Sequence, residues 1–123
     1  MHDALGSDQP IDVLNASWEA FDLGERAADA VAWAEGFDEL QALYAAERCA
    51  AGRAMFFPPQ ASTSPTLPDP PEEALRAAAE LLRHVHRALT ALSGNAEVPG
   101  ETALSAAALA LEAAQSLESI RAS

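Results

Sequence analysis

Lysine is absent from this chain. Its seven basic residues are all arginine and face 19 carboxylates, for a formal net charge of −12. A surface so poor in positive charge repels phosphate backbones and anionic headgroups, which argues against ordinary nucleic-acid binding and membrane attachment. Acidity of this kind suits solubility, high salt or a basic protein partner. Cysteine is nearly absent too: Cys49 stands alone, so no intrachain disulfide can form and a reducing compartment is expected. No apolar run approaches the roughly 18 residues of a membrane span. Met1 to Pro10 has neither the basic nor the apolar region of a signal peptide. A cytoplasmic protein is the expectation. Aromatic residues make up only 6% of a chain that is 50% hydrophobic. Alanine fills the difference, and it both favours helix and lets helices approach closely. Arginine without lysine, beside so much alanine, reads as the bias of a GC-rich bacterial genome.

Chemical motifs are equally scarce. There is no phosphate-cradling glycine loop, nucleophile elbow or Cys–His zinc spacing. His84 and His86 would point about 200° apart on a helix, so they cannot chelate one ion together. Glu80 and His84 share a face, but Arg83 and Arg87 beside them would repel a cation. No metal, cofactor or catalytic group is expected, and the chain reads as a non-enzyme.

Helical periodicity is what the chain does have. Leu75, Ala78, Leu82, Val85, Leu89 and Leu92 step by three and four, the seam that one helix presents to another. Asp69-Pro70-Pro71-Glu72 reads as the start of that helix and Gly94 as its end. Pro99-Gly100-Glu101 opens a last helix after a short connection, so these two helices should form an antiparallel hairpin over 70–121. Residues 57–69 hold four of the chain's eight prolines and read as an extended connector. Residues 1–9 read as a loose leader. Between them, 10–56 forms a helical half: Pro10 opens a short helix with Ile11, Leu14, Trp18 and Phe21 on its apolar face. Asp22-Leu23-Gly24-Glu25 resembles a capping box that ends this helix. A long second helix then runs straight through Gly36, because only a straight path aligns Trp33, Phe37, Leu40, Tyr44, Ala51 and Met55. A turn at Glu35-Gly36 is the alternative. The expected fold is all-α, a four-helix bundle-like domain.

Two functional readings follow. The last helix is apolar over so wide an arc that it wants neighbours on several sides, and a second copy of the chain is the simplest one. That points to a non-catalytic protein acting through protein–protein association as a homodimer, with Leu104, Ala107, Leu111, Ala114 and Leu117 at the interface. The alternative is a small-molecule binder or sensor with a pocket lined by Trp18, Trp33, Phe37 and Tyr44, and Glu47 as its polar group. A weaker third reading, mimicry of nucleic acid, requires the carboxylates to gather on one face.

Overall fold

The computed structural model describes residues 10–32, 36–56, 71–94 and 99–120, and all their regular structure is helical. Four helices pack around one core: α1 (Pro10–Ala32), α2 (Glu39–Arg53), α3 (Pro71–Leu92) and α4 (Gly100–Ser119). The α3 ladder behaves as its spacing predicts. Leu75, Ala78, Leu82, Val85 and Leu89 are buried, and Leu92 packs at the margin of the core.

The N-terminal half departs from expectation at three points. Helix α1 does not stop at Asp22; it runs unbroken for 23 residues. Asp22 faces sideways instead, accepting from Arg26 Nε at 3.2 Å and from Arg53 Nη1 at 3.0 Å. Arg53 also donates to Glu25, so the two acids of the apparent capping box clamp α2 onto α1. Continuation through Gly36 fails as well. Gly36 has φ of 90°, a left-handed conformation that interrupts a helix. Asp38 caps a new helix, its side chain accepting from the Gln41 backbone N–H at 3.2 Å. The short helix is therefore the second, at 15 residues. The apolar face of α1 is also rotated from the expected one. Val13, Ala16, Ala20, Ala27, Ala28 and Val31 are buried together with Phe21, while Ile11 is exposed. The leader (1–9), Trp33 and the connector (57–69) lie outside the described residues.

Helix α1 packs on α2 and α3, α4 packs on the same two, and the α1–α4 diagonal touches little. Small residues make the centre tight. A Cβ on Gly24 would meet Cys49 Sγ at 2.7 Å, Leu82 Cδ1 at 3.1 Å and Leu117 Cδ1 at 3.7 Å, so all four helices converge at that glycine. Helix α4 has α2 on one side and α3 on the other, which accounts for its wide apolar arc. The C-terminal end of α2 (Met55, Phe56) lies with the start of α4 (Pro99, Thr102), whereas the start of α3 (Glu72, Leu75) lies with the end of α4 (Leu117, Ile120). Thus α2 finishes and α3 begins at opposite ends of the molecule.

Arg83 ties α3 to α4 by donating to both Glu118 oxygens, with Nε to Oε2 at 2.9 Å, and so holds that carboxyl below its ordinary range. The pair is exposed, so Glu118→Gln should cost less than about 1 kcal/mol at neutral pH. A depressed carboxyl contributes stability above its unfolded value and loses it as pH falls through the folded one. Thermal melts of the two proteins should therefore differ slightly at neutral pH and coincide in acid.

Candidate interaction face

Helix α2 is built inside out. Its inward residues are the small ones, Ala42, Ala45, Cys49 and Gly52, all buried. Its large apolar residues point the other way: Leu40 is 79% exposed, Leu43 43% and Tyr44 46%. The close approach of α1 explains the inner set, since a Cβ on Gly52 would lie 2.2 Å from the Phe21 ring. No leucine fits there. Among the described residues the outer set has no such explanation. Burying a leucine side chain is worth about 1.5–3 kcal/mol, and α2 leaves two in water while it buries alanines.

The face has a defined frame. Asp38 caps the start of the helix, and positions 40, 43, 44 and 47 share its outer face because Ala42, Ala45, Cys49 and Gly52 take the inner one. The Arg48 guanidinium lies over the Tyr44 ring at 5.5 Å, within the range of a cation–π contact. Arg48 Nη2 donates to Glu47 Oε1 at 2.8 Å, and Nη1 sits 3.8 Å from Glu112 Oε2 on α4. One cation thus braces an aromatic ring and joins α2 to α4. Carboxylates border the apolar residues: Asp38, Glu39 and Glu47 are all exposed.

The expected sites are redistributed. Of the pocket residues, Trp33 lies outside the described residues, Trp18 and Phe37 are half-buried, and Tyr44 and Glu47 are on the outer face of α2. Glu47 was expected as the polar group of that pocket; its side chain is 68% exposed and pairs with the adjacent Arg48. The break before α2 is the physical reason, because it destroys the single line on which the aromatics were to align. The expected α4 interface also divides. Ala107, Ala114 and Leu117 are in the core of the chain itself, Leu111 is half-buried, and Leu104 is 51% exposed.

An apolar cleft of about 300 Å³ lies at the other end of α2, lined by Ile11, Leu14, Asn15, Met55, Phe56, Pro99 and Thr102. It shares no residue with the expected aromatic pocket. Exposed carboxylates occur on all four helices, among them Asp12, Glu47, Glu80 and Glu112. His86 Nδ1 is 2.9 Å from the Ala107 carbonyl. A carbonyl only accepts, so that nitrogen carries the proton and His86 joins α3 to α4. Among the described residues no group of three or more His, Cys, Asp or Glu is placed to hold a metal ion, and no helix is long and apolar enough to cross a membrane.

Cys49 is fully buried, and burial, with nearby Glu25 adding to it, pushes its thiol up to about 12. A thiol reagent should therefore modify native protein at least about a thousandfold more slowly than unfolded chain, at the rate of opening. The sign of the alkaline response follows. The folded thiol stays protonated while the unfolded one ionises near 9, so stability falls as pH rises from that value toward about 12. Denaturation curves of Cys49→Ala should show a shallower alkaline loss.

Compared with known proteins, the chain matches no protein family, no curated sequence and no solved structure.

Proposed function

We propose that this protein works by binding other proteins, without catalysis, and that the outer face of α2 is where it does so. The observation that carries this reading is the inversion of α2, with Leu40, Leu43 and Tyr44 outside and Ala42, Ala45, Cys49 and Gly52 inside. Large apolar residues gathered at i, i+3 and i+4 on an exposed helix face mark a contact surface, whereas scattered ones do not. The scaffold is read as a four-helix bundle whose α3 and α4 form an antiparallel hairpin. The Arg83–Glu118 and His86–Ala107 contacts support that arrangement. Association moves here from α4 to α2, because Ala107, Ala114 and Leu117 are already used in the core. Of the expected α4 interface, a second copy of the chain retains only Leu104 and the edge of Leu111.

The test pairs wild type with Leu40→Gln/Leu43→Gln, a change that leaves the net charge untouched. Expected is either self-association in sedimentation or stoichiometric capture of a partner from the source cells, in each case lost from the double variant. A monomer at high micromolar concentration that captures the same proteins with and without the two leucines would refute the reading.

A further inference from the structure

We infer that the outer face of α2 receives an amphipathic helix of a partner protein whose apolar stripe is flanked by lysine and arginine. This rests on the reading above and adds the chemistry of the partner. Leu40, Leu43, Tyr44 and Glu47 cover about 10 Å of helix, and Ala51 and Ala54 continue the same line for about 10 Å more at 1.5 Å per residue. That length matches about four turns of an opposing helix, with leucine and tyrosine as projections at one end and small alanines as a shallow seat at the other. The braced Tyr44 is the natural anchor. Arg48 already restrains its ring, so less rotamer freedom remains to be lost on docking.

Charge selects the occupant. The apolar residues are bordered by Asp38, Glu39 and Glu47, with Glu112 across on α4. The cation at this face, Arg48, is already placed between Glu47 and Glu112. A second copy docked through the same face would set carboxylate against carboxylate and bring together two chains of −12 each. Like charges opposed across an interface cost affinity and slow encounter. An anionic lipid surface meets the same repulsion. A helix carrying Lys and Arg beside its apolar stripe gains at both steps: it is steered in by the net charge and seated by the leucines.

The experiment is a selection from a displayed library of amphipathic peptides of about 16 residues, long enough at 1.5 Å per residue to span the face. Their flanking positions are randomised between Lys and Glu. Selection runs on wild-type protein, and isolated peptides are then measured against variants whose circular dichroism and melting match wild type. Lys-rich winners are expected, binding more weakly as salt rises. They should lose about tenfold or more in affinity on Leu40→Gln/Leu43→Gln, and keep most of it on Glu72→Gln/Glu73→Gln, which removes two negative charges from α3, away from this face. Winners that are neutral or Glu-rich overturn the proposal. So do Lys-rich winners that bind the leucine variant equally, since they would be reading net charge alone. Self-association abolished by the two leucine substitutions, with no peptide selected, overturns the basic partner while leaving association through α2 intact. A strict monomer that selects no peptide and captures no partner defeats both.

Discussion

Gly52→Ala is expected to destabilise the protein by about 2 kcal/mol and to lower its melting temperature by roughly 10 °C, although alanine is the better helix former. Propensity alone predicts the opposite sign, a gain of about 1 kcal/mol. Packing reverses it. The added Cβ would lie 2.2, 2.4 and 2.6 Å from three carbons of the Phe21 ring, which is the body of a rigid side chain and not a flexible tip. Phe21 is fully buried and its ring stacks on Phe56 at 6.1 Å between centroids. It cannot step aside without disturbing that pair or separating α2 from α1. Thermal unfolding followed by far-ultraviolet circular dichroism decides the sign. An unchanged or raised midpoint would mean that α1 and α2 lie farther apart than described.

Leu82→Ala should cost more, about 3 kcal/mol within the usual 2–5 for a buried leucine. A domain of this size has only about 5–15 kcal/mol in all. Leu82 is fully buried where α1, α2, α3 and α4 meet, beside Gly24, Cys49 and Leu117. Backbones already in close contact cannot collapse into the vacated space, so the cavity penalty remains nearly whole. A second measurement separates packing from general loss. Gly24→Ala alone meets both Cys49 Sγ and Leu82 Cδ1; with Leu82→Ala already in place, one of those obstacles is gone. A double-mutant cycle in denaturant should therefore show the pair less destabilising than the two singles added, by about 0.5 kcal/mol or more. Simple additivity would place Gly24 away from Leu82.

The C-terminal half was largely readable from its residues. The α3 ladder needs one helix and one partner seam, and spacing alone specifies both. For α4 the spacing showed a wide apolar arc but not how many neighbours the chain itself would supply; α2 and α3 turned out to supply two. The N-terminal half hid its boundaries in a local ambiguity. Asp22-x-x-Glu25 and Asp38-x-x-Gln41 both fit a capping box, and Gly24 and Gly36 both look like places to break. The distinction is tertiary. Arg53 takes Asp22 and Glu25 as partners from 31 and 28 residues away, and Cys49 needs Gly24 to have no side chain. Once those contacts claim the first pair, only the second can end a helix. The candidate face was unreadable for the same reason. Leu40, Leu43 and Tyr44 turn outward because Ala42, Ala45, Cys49 and Gly52 pack inward on α1, a long-range contact that local spacing does not reveal.

Because α2 finishes and α3 starts at opposite ends, the chain assembles at two ranges. Each helix pair, α1 with α2 and α3 with α4, closes over a few tens of residues or fewer. Gly24 and Leu82 meet only after the ends of a loop nearly twice as long have been brought together. Refolding is therefore expected to be limited by docking of one preformed pair on the other, with the rate set by contacts across that seam. Leu82→Ala belongs to the seam and should slow refolding. Gly52→Ala lies within a pair, and its effect should be read in how readily that pair forms by itself. Stopped-flow traces of the two variants turn a feature of chain routing into a measurable order of events.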